Sequence, residues 1–349
     1  LRRQYHKCSA GKLNVMPTAK EVLQVRINMN INGANVADVI GAADSEGLKQ
    51  LPGVTSIRNY ADLTMFVVPR GTKWRGTSDW TGYAVFNGKA SVINDESIKY
   101  LGVQMHELGH NFGLNHADGI NDPFGDLTSH MSRYLIADDF PIKCFNAQNH
   151  WLLGWFNARS ITVDPDVPVK VTILGFVDYT KAIQGAEFVV AKVGANLYLQ
   201  FNRAKLHNRD TEEASDKLVI ILDRGAEGTT LVAELDNGTS LYTVPDFESS
   251  GRQLNVLVCR VVMGETDEDI DWMEVSIGYG VSLCGAQLTV ESAPQPSPAL
   301  TGRRTGEPSS RPLSGPYSRR ISESFPRPTN EPTTRRTREQ SSDADPHTD

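Results

Sequence analysis

Residues 106–116 read His-Glu-Leu-Gly-His-Asn-Phe-Gly-Leu-Asn-His, and this spacing leaves the chain few ways to fold around it. On a helix, His106 and His110 project from one face, one turn apart, so their ring nitrogens can share a cation. Glu107 then points beside that cation, the place of a general base. Gly113 tolerates φ > 0, which ends the helix and returns the chain so that His116 supplies a third imidazole. Three histidines leave a fourth tetrahedral position open, the pattern of a catalytic rather than a structural Zn²⁺ site. With eight histidines in 349 residues, chance alone gives the full pattern on the order of 10⁻⁵ times per chain. A lone histidine pair at that spacing would instead read as a solvated helix face.

Downstream comes Phe124-Gly-Asp-Leu-Thr-Ser-His-Met131-Ser132. A methionine after the third histidine, in a turn, is expected to pack beneath the imidazoles as a soft support and not to ligate. His130 reads as a solvent-facing histidine in preference to a fourth ligand. Tyr134 is a candidate for stabilising an oxyanion, at an unusual offset of three residues past Met131.

Around this motif the elements alternate. Leu23, Val25, Ile27 and Met29 face one way and their neighbours the other, predicting a half-buried strand. Asn35 to Gln50 reads as a helix stopped by Pro52. Leu63–Val68 reads as a central strand, and Tyr83–Ile93 as one strand with a kink or bulge at Asn87-Gly88. A helix is expected from Asp95 or Ser97 to Phe112. After residue 165 the pattern becomes short apolar runs between turn residues, among them Val169–Leu174, Phe188–Val193, Leu197–Phe201, Leu218–Leu222 and Asn255–Val262, which predicts an all-β sandwich-like domain. The chain therefore divides into 1–160, 161–290 and a tail at 291–349. The tail is rich in Pro, Ser, Thr and Arg and repeats Arg-Arg pairs every 16 residues, from Arg303-Arg304 to Arg335-Arg336. Too little apolar surface is available there to offset chain entropy, so it is expected to be disordered.

The 35 basic and 42 acidic residues, net −7, argue against nucleic acid as a partner. No apolar run approaches a membrane span. Four cysteines allow three pairings. Cys259 and Cys284 lie at the ends of strand-like runs and are placed to pair, in which case Cys8 and Cys144 would staple the first domain; the other pairings stay open. Asn237-Gly-Thr239 is a glycosylation sequon, a weak pointer to secretion.

Several blocks together resemble the gametolysin family of secreted metzincin metallopeptidases, the cell-wall lysins. They are Cys8-Ser-Ala-Gly-Lys12, the strand Glu21–Asn30, Tyr83–Asp95, Val103 to Ala117, Phe124 to Met131, Cys144-Phe-Asn146 and Trp151-Leu-Leu-Gly-Trp155, with a fainter block at Leu199–Ala204. Ser132 stands where that family usually has glycine. The resemblance implies an α/β metzincin-like catalytic domain, a twisted mixed sheet with an active-site helix. It also implies Zn²⁺ on His106, His110 and His116, Glu107 as base, Met131 as support, and an extracellular or wall glycoprotein as substrate. Secretion, with a signal peptide and prosegment preceding Leu1, and a monomeric enzyme are the further expectations. The competing readings are a non-catalytic wall-binding protein on the same fold and a zinc hydrolase of some non-peptide substrate.

Overall fold

Burial of aromatic surface fixes the first element, a helix the sequence patterns did not announce. In a computed structural model, which describes residues 1–19, 21–133, 141–236, 240–280 and 284, helix α1 (Arg2–Cys8) buries Tyr5 and Cys8. The Tyr5 hydroxyl donates to Met105 O at 2.9 Å, and its ring meets Phe112, Phe145 and Trp155. Cys8 is bonded to Cys144 and Cys259 to Cys284, with Cα separations of 5.5 and 5.0 Å. The expected tail, the sequon at 237–239 and Tyr134 lie outside the described residues.

Residues 23–30 alternate half-buried and exposed as their pattern predicts, but they pair with no strand among the described residues. Ile27 and Met29 pack instead on a small cluster with Val36, Val39 and Trp74. Helix α2 (Val36–Leu48) follows, capped by Asn35, whose side chain accepts from Ala37 N at 2.9 Å.

The next sheet has three strands, β1 (Thr64–Val68), β2 (Gly82–Ala84) and β3 (Ala90–Asn94), in the order β1-β3-β2. Two expectations change here. The run at 63–68 lies at an edge, while β3, buried at every residue, is central. Tyr83–Ile93 is a hairpin and not one bulged strand, because Asn87 at φ +49° and Gly88 carry a full reversal. The helix expected from about residue 95 is also divided. A 3₁₀ turn, Asp95–Lys99, is separated from helix α3 (Leu101–Asn111) by Tyr100 in extended backbone.

The remaining strands form two larger mixed sheets. One has the order β4-β11-β10-β9-β8-β5, with β4 (Ala117–Gly119), β5 (Ser160–Val163), β8 (Val190–Val193), β9 (Leu197–Asn202), β10 (Lys217–Asp223) and β11 (Thr229–Leu235). The other has the order β12-β13-β14-β6-β7, with β6 (Val169–Leu174), β7 (Glu187–Phe188), β12 (Leu241–Val244), β13 (Leu254–Val262) and β14 (Trp272–Tyr279). Leu199, Phe201, Leu218 and Ile220 of the first meet Val171, Ile173, Met273 and Val275 of the second in one buried core. The run at 188–193 divides at Val189, where the chain passes from one sheet to the other. Strand β4 follows the third histidine directly and joins the larger sheet parallel to β11. Among the described residues, no helix is long and apolar enough to cross a membrane.

Helix α4 (Ala147–Leu153) covers β8, β9 and β10, and holds His150 in the core. Its Nδ1 lies 2.7 Å from Gln200 Oε1, and its ring sits among Phe145, Phe156 and Phe176. Burial pushes its pKa down to about 3. The unfolded chain takes up this proton near pH 6.5 and the native state refuses it until about pH 3. Stability therefore falls as pH drops through that window, by on the order of 1.4 kcal/mol per unit from this group. In denaturation experiments between pH 7 and 4, His150→Gln should flatten the slope of stability against pH by about one proton. An unchanged slope would contradict the assignment.

Candidate metal centre

Helix α3 carries two of the three histidines, and Met105 to Asn111 are all buried within it. Its end is built by glycine. Gly113, at φ +83°, lets Gly113 N donate to His110 O and Leu114 N to Gly109 O, both at 3.0 Å, the paired closure of a Schellman turn. The hairpin between β2 and β3 seals the same end: Asn87 N donates to His110 O at 2.8 Å, and Asn111 Nδ2 donates to Val85 O and Ala90 O at 3.0 Å each.

This turn brings His116 back to His106 and His110, so that one nitrogen from each ring lies within 4.8 Å of the others. Nδ1 of His106 is 2.8 Å from His130 O, and Nδ1 of His110 is 2.8 Å from Leu114 O. A carbonyl only accepts, so both Nδ1 atoms carry hydrogen and donate, and in the neutral rings this leaves each Nε2 as an acceptor able to ligate. These stand 3.2 Å apart. With the hydrogens on Nδ1, neither Nε2 donates to the other, and both are acceptors that one cation can share. The donor set therefore fits a metal ion.

Glu107, fully buried, follows His106 on the helix. Its carboxylate rests against Gly82 of β2, where any β-carbon would overlap it. On the other side, the Met131 sulfur occupies the space a β-carbon would need at Gly109, one residue before His110. Met131 O accepts Ala117 N at 2.9 Å, tying the methionine to the strand after His116. Ser132 is accommodated without left-handed backbone, its hydroxyl donating to Ser129 O at 2.7 Å, so this turn does not require glycine.

His130 corrects the sequence reading. It is buried and not solvent-facing, and it is not among the clustered ligands. Its carbonyl accepts from His106, while its ring Nε2 lies 3.0 Å from Lys143 O. Burial, together with the Lys143 charge, holds it well below the usual histidine range, so it is neutral. Lys143 is itself buried, donating to Leu127 O at 3.0 Å and paired with Glu212 at 2.9 Å. Asp126 completes this floor, accepting from Thr128 N and Asn146 Nδ2. None of Gly82, Asn111, Asp126 or Lys143 stood out in the sequence. Apart from the turn contact of Asp126 with Thr128, their side-chain partners lie sixteen or more residues away and leave no local pattern.

The family model of gametolysin peptidase M11 matches residues 1–182. Comparisons with curated proteins and with solved structures found no match. The three-histidine cluster, which can hold a metal ion, and the buried glutamate beside it all lie within the matched segment. The chain belongs to the gametolysin peptidase M11 family and is a metallopeptidase. Because Gly82 leaves no room beside Glu107, Gly82→Ala should lower peptide hydrolysis by about 10²-fold or more while bound metal is retained. Loss of metal together with activity would show that Gly82 serves the ligands rather than the carboxylate.

Proposed function

We propose that this chain is a secreted, metzincin-type zinc endopeptidase that hydrolyses peptide bonds of extracellular or wall glycoproteins, with Glu107 as general base. The observation that carries this reading is the gathering of His106, His110 and His116, one nitrogen of each within 4.8 Å of the others, beside a buried carboxylate. Three imidazoles so gathered are the donor set that suits zinc. His106, His110 and His116 would hold the ion. When bound, zinc polarises the scissile carbonyl and brings the pKa of a water toward about 7.

The chain's own residues do the rest. Glu107, one position from His106, accepts the proton of the attacking water and returns it to the departing amine. Gly82 and the helix keep its carboxylate from swinging away. Strand β2 borders this carboxylate and lies at an edge of its sheet. Val85 N donates to Ala90 O and Asn94 N to Thr81 O, so the odd-numbered residues of this stretch face β3. Antiparallel alternation then turns the backbone groups of Gly82 and Ala84 outward. An extended substrate adding as a further strand would pair there, gaining affinity from main-chain bonds with little sequence reading.

The two disulfides favour an oxidising compartment, in keeping with secretion. In this reading 1–160 carries the catalytic residues and 161–290 is a β-rich accessory portion. Since every ligand and the base come from one chain, a monomer suffices.

Glu107→Gln is expected to keep one zinc per chain while peptidase activity falls about 10²–10⁴-fold. Activity near wild type would refute the assigned base. Ala84→Pro removes an outward N–H and leaves the β3 ladder intact. It should raise KM several-fold with kcat little changed, whereas an unaltered KM would exclude strand addition at β2.

A further inference from the structure

Two of the three ligands are fixed by the helix that bears them. His116 is not: it follows the helix on an irregular segment, and part of its restraint comes from a distant part of the chain. The tip of the β10–β11 hairpin, residues 224–229, reaches this segment at three successive points. Asn115 Nδ2 donates to Gly225 O at 3.1 Å. Thr229 N donates to His116 O at 2.9 Å, opening the parallel register in which Thr229 faces Ala117. Arg224 Nη2 pairs with Asp118 Oδ2 at 2.6 Å.

The tip is shaped for this approach. Gly228 sits at φ +98°, ψ −150°, a conformation open essentially to glycine alone. A β-carbon there would overlap the His116 carbonyl oxygen. Asp118 then passes the restraint on to the ligand's ring. Its second oxygen, Oδ1, accepts Phe124 N at 2.7 Å, and Phe124 O accepts Arg133 N at 3.0 Å. Held between them, Phe124 adopts φ +60°, rare for a bulky residue. Its ring then meets the His116 imidazole edge-on, with the centroids 4.4 Å apart.

We infer that the hairpin tip at 224–229 is a clamp that sets the position of the third metal ligand, with Arg224 and Gly228 as positioning residues acting on His116 through Asp118, Phe124 and the backbone. The affinity of the site for its metal is thus governed partly by residues beyond the segment at 1–182 that defines the family. The inference rests on the reading that the histidines hold zinc. Its physical basis is that a loop-borne ligand left free to wander must be ordered when the ion binds, and that cost appears in the dissociation constant. Groups that orient metal ligands are worth about 10–100-fold in affinity.

The test is zinc competition against a chromophoric chelator, on the full chain stripped of metal, with the thermal midpoint of each metal-free variant measured alongside. Gly228→Ala should weaken zinc binding about 10–100-fold and Arg224→Gln about ten-fold, while Arg224→Lys should stay within about three-fold of wild type. The metal-free midpoints of the Arg224 variants should move little, since the clamp orders a ligand and not the core; Gly228→Ala, strained in either state, is read by its zinc affinity alone. Should Gly228→Ala fail to fold, Arg224→Gln against Arg224→Lys still decides. Zinc affinities of all variants within two-fold of wild type would overturn the clamp, as would an affinity loss in Arg224→Gln that tracks its metal-free midpoint. A wild-type chain that binds no zinc, or a His116→Ala variant that binds as tightly as wild type, would instead overturn the metal reading itself.

Discussion

Two backbone carbonyls, those of His130 and Leu114, set the chemistry of this site before any ion enters it. By accepting the Nδ1 hydrogens of His106 and His110 they fix both tautomers, and so leave two Nε2 lone pairs converging across 3.2 Å. Each carbonyl owes its place to a turn. Leu114 follows the Gly113 reversal at the end of α3, and His130 precedes the methionine that fills the space at Gly109. The convergent lone pairs are thus a property of backbone geometry. Their convergence depends on the packing that surrounds them.

That packing is drawn from the whole chain. Helix α1 is stapled by Cys8–Cys144 and buries Tyr5 against the middle of the histidine helix, through its bond to Met105 O. The β2–β3 hairpin closes the C-terminal end through Asn87 and Asn111. Residues 141–146 are held by the loop at 208–213, where Ile142 N donates to Asp210 and Cys144 N to Asn208. Strand β4 carries the larger sheet up to the third ligand. The core that surrounds the site accordingly includes Leu174, Tyr198, Val219 and Leu231 along with Met105, Leu114 and Met131. The histidine-bearing segment and the β-rich portion share one interior.

What could be read in the sequence were features whose geometry is local. Helical periodicity alone put His106 and His110 on one face, and glycine's access to φ > 0 alone turned the chain toward His116. The β-rich runs after residue 165 were legible because alternation and turn residues are themselves short-range. The errors share a cause. Tyr83–Ile93 read as one strand because nothing nearby shows that Asn87 must reverse toward the end of a helix. Leu63–Val68 read as central because an apolar run does not reveal which neighbours it will have. His130 read as exposed because its burial depends on Lys143 and the segment beyond. Helix α1 went unseen since its helix-forming pattern is weak and its stabilisation comes from rings more than a hundred residues away.

The central claim is that a histidine-held metal drives peptide hydrolysis here. The most direct measurement combines metal analysis of the purified chain with a casein cleavage assay before chelation, after chelation, and after zinc is restored. The account predicts one zinc per chain, cleavage abolished by the chelator, and recovery when zinc is added back. Cleavage that persists in the fully stripped protein, or one firmly bound zinc with no cleavage of any peptide substrate, would contradict it.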